Sequence, residues 1–194
     1  MRYDSEHKQR THLRVIQEAA VLIRKFGPDK IGVAGLMEKV GLTHGGFYAH
    51  FKSKNELLDA AVNHMFEDRF SAFEQSLVDI EPAEGLSRYI DFYLSTEHKN
   101  WPELGCPILA LASDVVRMQA SSQTIFASGV ERLLEAITAL LQAMDYPNPN
   151  QLAASMLSEM VGAMVIARTL ADEERSASIL QDARVSLKKR IGIV

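Results

Sequence analysis

Apolar residues recur three and four positions apart along most of the chain, the spacing that lines one face of an α-helix. Leu13, Ile16, Ala20, Ile23 and Phe26 predict a helix over 8–26 with residues 1–6 loose before it; Leu36, Met37 and Val40 predict a short one over 33–40. Leu57, Leu58, Ala61, Met65, Phe66, Phe70 and Phe73 form a continuous stripe that predicts a long helix over 54–77. Tyr89, Ile90, Tyr93 and Leu94 predict 86–97, and further helices follow over 107–120, 123–144, 151–170 and 174–190. Gly27-Pro28, Asp79 to Pro82, a loop over 98–104 with Trp101-Pro102, and the run Tyr146-Pro147-Asn148-Pro149-Asn150 punctuate them. The segment 151–170 is apolar over much of its circumference, with Met156, Met160, Val161, Met164 and Val165, so neighbours must cover it on most sides. The fold class is all-α.

One stretch breaks the core-helix pattern. Lys39 to Glu56, KVGLTHGGFYAHFKSKNE, reads as a helix end, a turn at Gly41, a short exposed helix over 43–50 and a capped helix start. Gly45 and Gly46 each cost a helix about 1 kcal/mol relative to alanine, a cost that favours close approach to another surface. Phe47 and Phe51, four apart, anchor one face, while Thr43, His44, Tyr48, His50, Lys52 and Lys54 offer hydrogen bonds and positive charge on the other. Ser53 and Glu56 have the spacing of a capping box. This is the logic of a helix-turn-helix entering a major groove. Arg10 and Thr11, near the start of the first helix, are candidate phosphate contacts.

Charge supports a nucleic-acid head. The whole chain of 194 residues carries −4, but residues 1–54 hold ten Lys/Arg against five Asp/Glu, a net of +5, and the remainder is −9. A start of MRYDSEHKQRTH lacks a signal-peptide core, no apolar run of membrane-span length is expected, and one cysteine excludes an internal disulfide framework, which together predict a cytoplasmic protein without membrane partners. No metal-ligand cluster, phosphate loop or cofactor motif is present, so neither metal nor cofactor is expected and no residue is assigned as catalytic.

Gly41 through Leu58, GLTHGGFYAHFKSKNELL, resembles the recognition segment of TetR-family transcriptional regulators: a Gly-Val-Ser/Thr turn, a small or glycine-rich recognition helix with an aromatic-Tyr pair, then Phe, a short spacer, Ser-Lys and Glu-Leu-Leu. The resemblance implies that Thr43, His44, Gly45, Gly46 and Tyr48 face DNA and Phe47 packs inward. It implies a helix-turn-helix domain over 1–54, a linking helix over 55–82, and an effector-binding and dimerisation domain over 83–194. The chain departs from the family at Ile31 and Gly32, where Thr or Ser is usual. By the same resemblance the last two helices form a homodimer's four-helix bundle, with Met156, Met164, Arg168, Ile179, Ala183 and Leu187 as interface candidates. Two recognition helices then read a palindromic operator on double-stranded DNA.

Cys106 precedes Pro107, a residue suited to a first helical position, so the helix start is expected to lower the thiol pKa. The stretch GCPILALASDV resembles a TetR-family branch whose matching cysteine senses electrophiles and hypochlorite. Arg168 could stabilise a thiolate if it points inward. The alternative effector is a small organic ligand, for which Phe92, Tyr93, Trp101, Leu109, Met118, Phe126 and Met160 are candidate lining. Two other classes fit the residues less well: an all-α enzyme with Cys106 as nucleophile, and a helical dimeric adaptor that does not bind DNA.

Overall fold

In the computed structural model residues 2–193 are described, and every regular element among them is helical. Helix α1 spans Arg2–Phe26, starting six residues earlier than expected because nothing in the charged segment before Lys8 breaks a helix; Met1 lies outside the described residues. Its buried face is Val15, Ile16, Ala19, Ala20 and Ile23. Leu13 and Phe26, expected inside, are 46% and 56% exposed. Leu13 sits roughly a quarter turn from the centre of the buried stripe, and Phe26 is the terminal residue, with the Lys25 ammonium 5.6 Å from its ring.

Helix α2 (Val33–Lys39) closes with a Schellman motif. The Gly41 amide donates to Glu38 O (2.9 Å) and the Leu42 amide to Met37 O (2.8 Å), with Gly41 at φ 73°. That left-handed residue turns the chain into a tight 3-10 helix, His44–Ala49. Here the sequence predicts an ordinary helix; the glycine pair weakens it, and the bonds close three residues apart, as from His50 N to Phe47 O (2.9 Å). Helix α3 (Lys54–Ser76) begins at Ser53, whose Oγ accepts from Glu56 N at 3.1 Å. The reciprocal arm of the box is displaced by one residue: Glu56 Oε2 accepts from Lys52 N at 2.5 Å.

The body departs most from expectation between residues 82 and 120. Helix α4 (Pro82–Tyr93) starts at the proline itself, and Ser95 caps a separate α5 (Thr96–Asn100) by accepting from His98 N at 3.0 Å. The expected helix 86–97 is therefore two, and His98 and Lys99, expected in a loop, are buried in α5. Helix α6 is only Pro107–Leu111, not 107–120; the chain turns at Asp114 before α7 (Ala120–Ala143). Helix α8 (Pro149–Thr169) takes Pro149 into its first turn, and α9 (Glu173–Arg190) is capped by Asp172.

Contrary to expectation, α8 is long and apolar enough to cross a membrane, with a mean hydropathy of 1.3 over its most apolar window. Its Met156, Met160 and Met164 are instead fully buried in this fold, where α8 packs between α7 and α9. Helix α1 reaches across the chain: it packs on α3, on the short turn Pro102–Leu104 and on α6.

Candidate nucleic-acid interface and effector cavity

The recognition segment presents two faces. Phe47 and Phe51 are 1% and 2% exposed, with ring centroids 5.4 Å apart, and His12 stacks on Phe51 at 4.5 Å. This anchor fixes the outer face. There Tyr48 is 66% exposed, His44 stands edge-on to it (6.1 Å), and a Cβ at Gly45 would meet nothing within 4 Å. Thr43 is exposed and its Oγ1 accepts from Gly46 N at 3.2 Å, so the hydroxyl proton remains free to donate outward. Arg10 and Lys52 are exposed and Lys54 is half-buried. His50 is half-buried, its pKa lowered by burial, with further lowering from His12 and Lys8. Thr11 does not belong to this surface: at 7% exposure it packs inside. Arg14 donates to Val40 O at 2.5 Å and so ties α1 to the turn.

A second feature is a cavity of about 650 Å³ between α3, α4 and α7, within the size range of small-molecule sites. Of the expected lining only Phe92, Tyr93 and Cys106 are there. Met160 is fully buried in the core and Phe126 is 8% exposed, edge-on to Phe66 at 5.4 Å. Trp101 is 59% exposed at the surface, Leu109 packs on the core, and Met118 lines a smaller cleft beside Lys54. In their place stand Phe66, Phe70, Phe73, Tyr89, Arg132 and Glu67. The α3 stripe is thus divided: Leu57, Leu58, Ala61 and Met65 are core, and its later aromatics are cavity wall. The signal was the stripe's length, since an apolar stripe that runs for about six turns and ends in three rings needs more cover than one core gives it.

Cys106 is 7% exposed at the start of α6. The expected depression of its pKa is not what the structure gives. Burial pushes the thiol up; Tyr93, the amides of Ile108 and Leu109, and Arg24 pull the other way and do not win. A five-residue helix carries little of the macrodipole, and desolvation dominates. Arg168 does point inward, but to carbonyls: it donates to His98 O (2.7 Å) and Lys99 O (3.2 Å), closing the end of α5. Within the chain it acts as an internal tie.

His98 holds the cavity wall together. Its Nε2 accepts from the Cys106 amide (3.1 Å) and its Nδ1 lies 2.7 Å from Tyr93 O. An amide only donates and a carbonyl only accepts, so the ring is neutral with its proton on Nδ1. Burial lowers its pKa below 6.5, the Tyr93 carbonyl opposing and Arg168 and Arg69 adding to the fall. A depressed folded-state pKa contributes stability above the unfolded value of 6.5 and loses it as pH falls below that toward the folded pKa. Thermal melts between pH 7.5 and 5.5 are expected to show a falling Tm that His98→Gln, which keeps a donor and an acceptor, makes shallower. An equal slope in both proteins would contradict this role.

The expected dimer residues are mostly interior: Met156, Met164 and Leu187 are fully buried within one chain, and Ile179 and Ala183 are half-buried. The outward face of α8 is Ser155, Ser158, Gly162, Val165 and Ile166, the last two 45% and 52% exposed, and on α9 Val185 is 53% exposed. A Cβ at Gly162 would meet nothing within 4 Å. Two apolar faces at opposite sides of α8 explain its nearly continuous apolar sequence.

Residues 15–61 match the family model described as bacterial regulatory proteins, tetR family. Over 84 residues the chain is 29% identical to the HTH-type transcriptional regulator TtgR of Pseudomonas putida; that stretch covers 42% of this chain and 40% of TtgR, less than half of either. A TetR transcriptional regulator from Chloroflexus aurantiacus superposes with a TM-score of 0.83 at 25% identity, over 96% of both chains. Reduced NemR of E. coli superposes with a TM-score of 0.82 at 17% identity, over 92% of this chain and 95% of that one, a likeness of fold. TtgR and the Chloroflexus protein are both transcriptional regulators.

Proposed function

From a TetR-family head on a TetR-like helical body, we propose that the protein is a homodimeric, sequence-specific DNA-binding repressor released from its operator by a small organic ligand. The observation that carries the DNA reading is the recognition segment: two buried phenylalanines hold an exposed outer face of Thr43, His44, Gly45 and Tyr48, of which the fold uses only the Thr43 hydroxyl oxygen, as a cap. Lys52, Lys54 and Arg10 flank it as phosphate contacts. The outward faces of α8 and α9, with Val165, Ile166 and Val185, are the surface for the second copy. A pair of heads about one DNA turn apart then reads a palindrome.

The cavity supports a ligand rather than a thiol switch. It is large and ring-lined, while Cys106 is buried and its thiol is held in the protonated, unreactive form. The test is a fluorescence-anisotropy titration of the dimer on duplex fragments selected from the genome, at several salt concentrations. Tight binding to one palindromic fragment that weakens steeply with salt, and that survives treatment with N-ethylmaleimide, is expected. Absence of any salt-dependent duplex binding would sink the regulator reading, and release by the maleimide would restore Cys106 as the sensor.

A further inference from the structure

Resting on the reading of the cavity as the effector site, we infer that its ligand is an aromatic carboxylate whose carboxylate takes Arg132 away from Glu67. Three observations meet at this cavity. Its wall is aromatic, with Phe66, Phe70, Phe73 and Tyr89 offering ring faces and edges suited to a flat ring system. Of the three arginines that line it, Arg69 and Arg88 each pair with an acid of their own helix, Asp68 and Glu84, while Arg132 is held against α3: its guanidinium lies 3.6 Å from the Phe70 ring centroid and donates to Glu67 Oε1 at 2.7 Å. That bond uses one of five donors, so an edge of the planar fork remains for a second carboxylate. The third is an unused polar group inside. The Tyr93 hydroxyl, on a residue 2% exposed, has only the Cys106 thiol, a weak partner, beside it and no oxygen or nitrogen in hydrogen-bond reach. A buried hydroxyl without a strong partner is an anchor awaiting one.

The exchange is favourable because the two ion pairs differ in setting. The Arg132 and Glu67 side chains are 42% and 50% exposed, and an ion pair so open to water contributes little. A ligand carboxylate brought by a buried ring system meets the same guanidinium with less competing solvent. Glu67 lies on α3, the helix that begins at the recognition segment, and Arg132 on α7. Exchange therefore cuts a link between the helix that carries the head and the body. The carboxylate class follows from Glu67 itself: the site already holds a carboxylate on Arg132, and the ligand supplies another.

The experiment is calorimetric and uses the DNA-free dimer, so its failure leaves the operator reading untouched and failure of operator binding leaves it untouched. Cinnamate, its neutral isostere cinnamamide, and p-coumarate, which adds a phenol at the opposite end, are titrated into wild type, Glu67→Gln, Arg132→Gln and Tyr93→Phe. Wild type is expected to prefer cinnamate over cinnamamide by about tenfold. Glu67→Gln, which removes the competing charge and keeps the shape, tightens cinnamate and leaves cinnamamide unchanged. Arg132→Gln erases the preference. p-Coumarate binds about fivefold tighter than cinnamate, an advantage that Tyr93→Phe removes with little loss of stability, since the hydroxyl it deletes has only a thiol beside it. Equal binding of acid and amide by wild type, no gain in Glu67→Gln, or no binding of any of the three overturns the inference. A p-coumarate advantage that persists in Tyr93→Phe overturns the inner anchor.

Discussion

Substituting Tyr48→Ala and Lys52→Ala together is expected to weaken operator binding by about a thousandfold while leaving thermal stability unchanged. Neither side chain supports the fold: Tyr48 is 66% exposed and the Lys52 side chain is exposed. The interior of the segment rests on Phe47 and Phe51, and the cap of α3 uses the Lys52 backbone amide, which alanine keeps. Each contact with the duplex contributes about 1 kcal/mol. A dimer makes both contacts twice, so about 4 kcal/mol is lost, roughly a thousandfold in affinity. The slope of log affinity against log salt also flattens by about two, one lysine contact per half-site. Unchanged affinity, or a fall in Tm matching the loss of binding, would show that this face does not meet DNA.

The second large effect lies in the cavity wall. A Cβ built on Gly129 in α7 would stand 2.4 Å from Cγ of Phe66, with two further ring atoms at 2.5 and 2.6 Å. The Phe66 ring is seated on the helix backbone, and a ring cannot bend aside as a flexible chain end does. Gly129→Ala therefore pushes the ring toward the cavity and costs about 1–3 kcal/mol, a fall in Tm of roughly 2–12 °C for a chain of this size. In a Phe66→Ala background the sign is expected to reverse. There the clash is gone, and alanine in a helix is favoured over glycine by about 1 kcal/mol. A melt series of the four proteins reads this coupling directly. A Gly129→Ala protein as stable as wild type, or a cost that survives in Phe66→Ala, would mean that Phe66 does not rest where the structure places it.

The head was legible because its signals are local. The Gly41 turn, the Phe47/Phe51 anchor and the Ser53 cap are each fixed within a few residues, and each is present in the structure. Thr11 misled because a polar residue at the rim of a helix stripe reads as surface until the partner that covers it is known. The body was less legible for the same reason on a larger scale. Apolar periodicity shows that a helix face is covered, not by what. The α3 aromatics, the α8 methionines and Phe126 all share one periodicity, yet the first border a void, the second form the core and the third packs against a ring of the first. The short α5 was invisible because its cap at Ser95 breaks a stripe that hydrophobic spacing alone would run through; α6 starts at Pro107 as expected, but its early end at Leu111 was not legible. The pKa of Cys106 went the other way because helix length and burial, the two quantities that decide it, are tertiary facts.

Arg24 deserves a mechanical reading. Its side chain is 3% exposed, it donates to Met65 O at 3.2 Å with Asp68 at 3.9 Å, and burial holds its pKa down to about 10. It sits near the Cys106 side of the cavity wall, yet it belongs to α1, the helix that carries Arg10. Fourteen residues of helix separate Arg24 from Arg10, about 21 Å. The helix is thus a lever whose fulcrum, Arg24, is bonded to the stretch of α3 that precedes the cavity-lining Arg69. A pivot of about 5° there would sweep Arg10 through roughly 2 Å, two-thirds of the length of a hydrogen bond to a phosphate, which is the displacement that the proposed phosphate contact at Arg10 would have to survive.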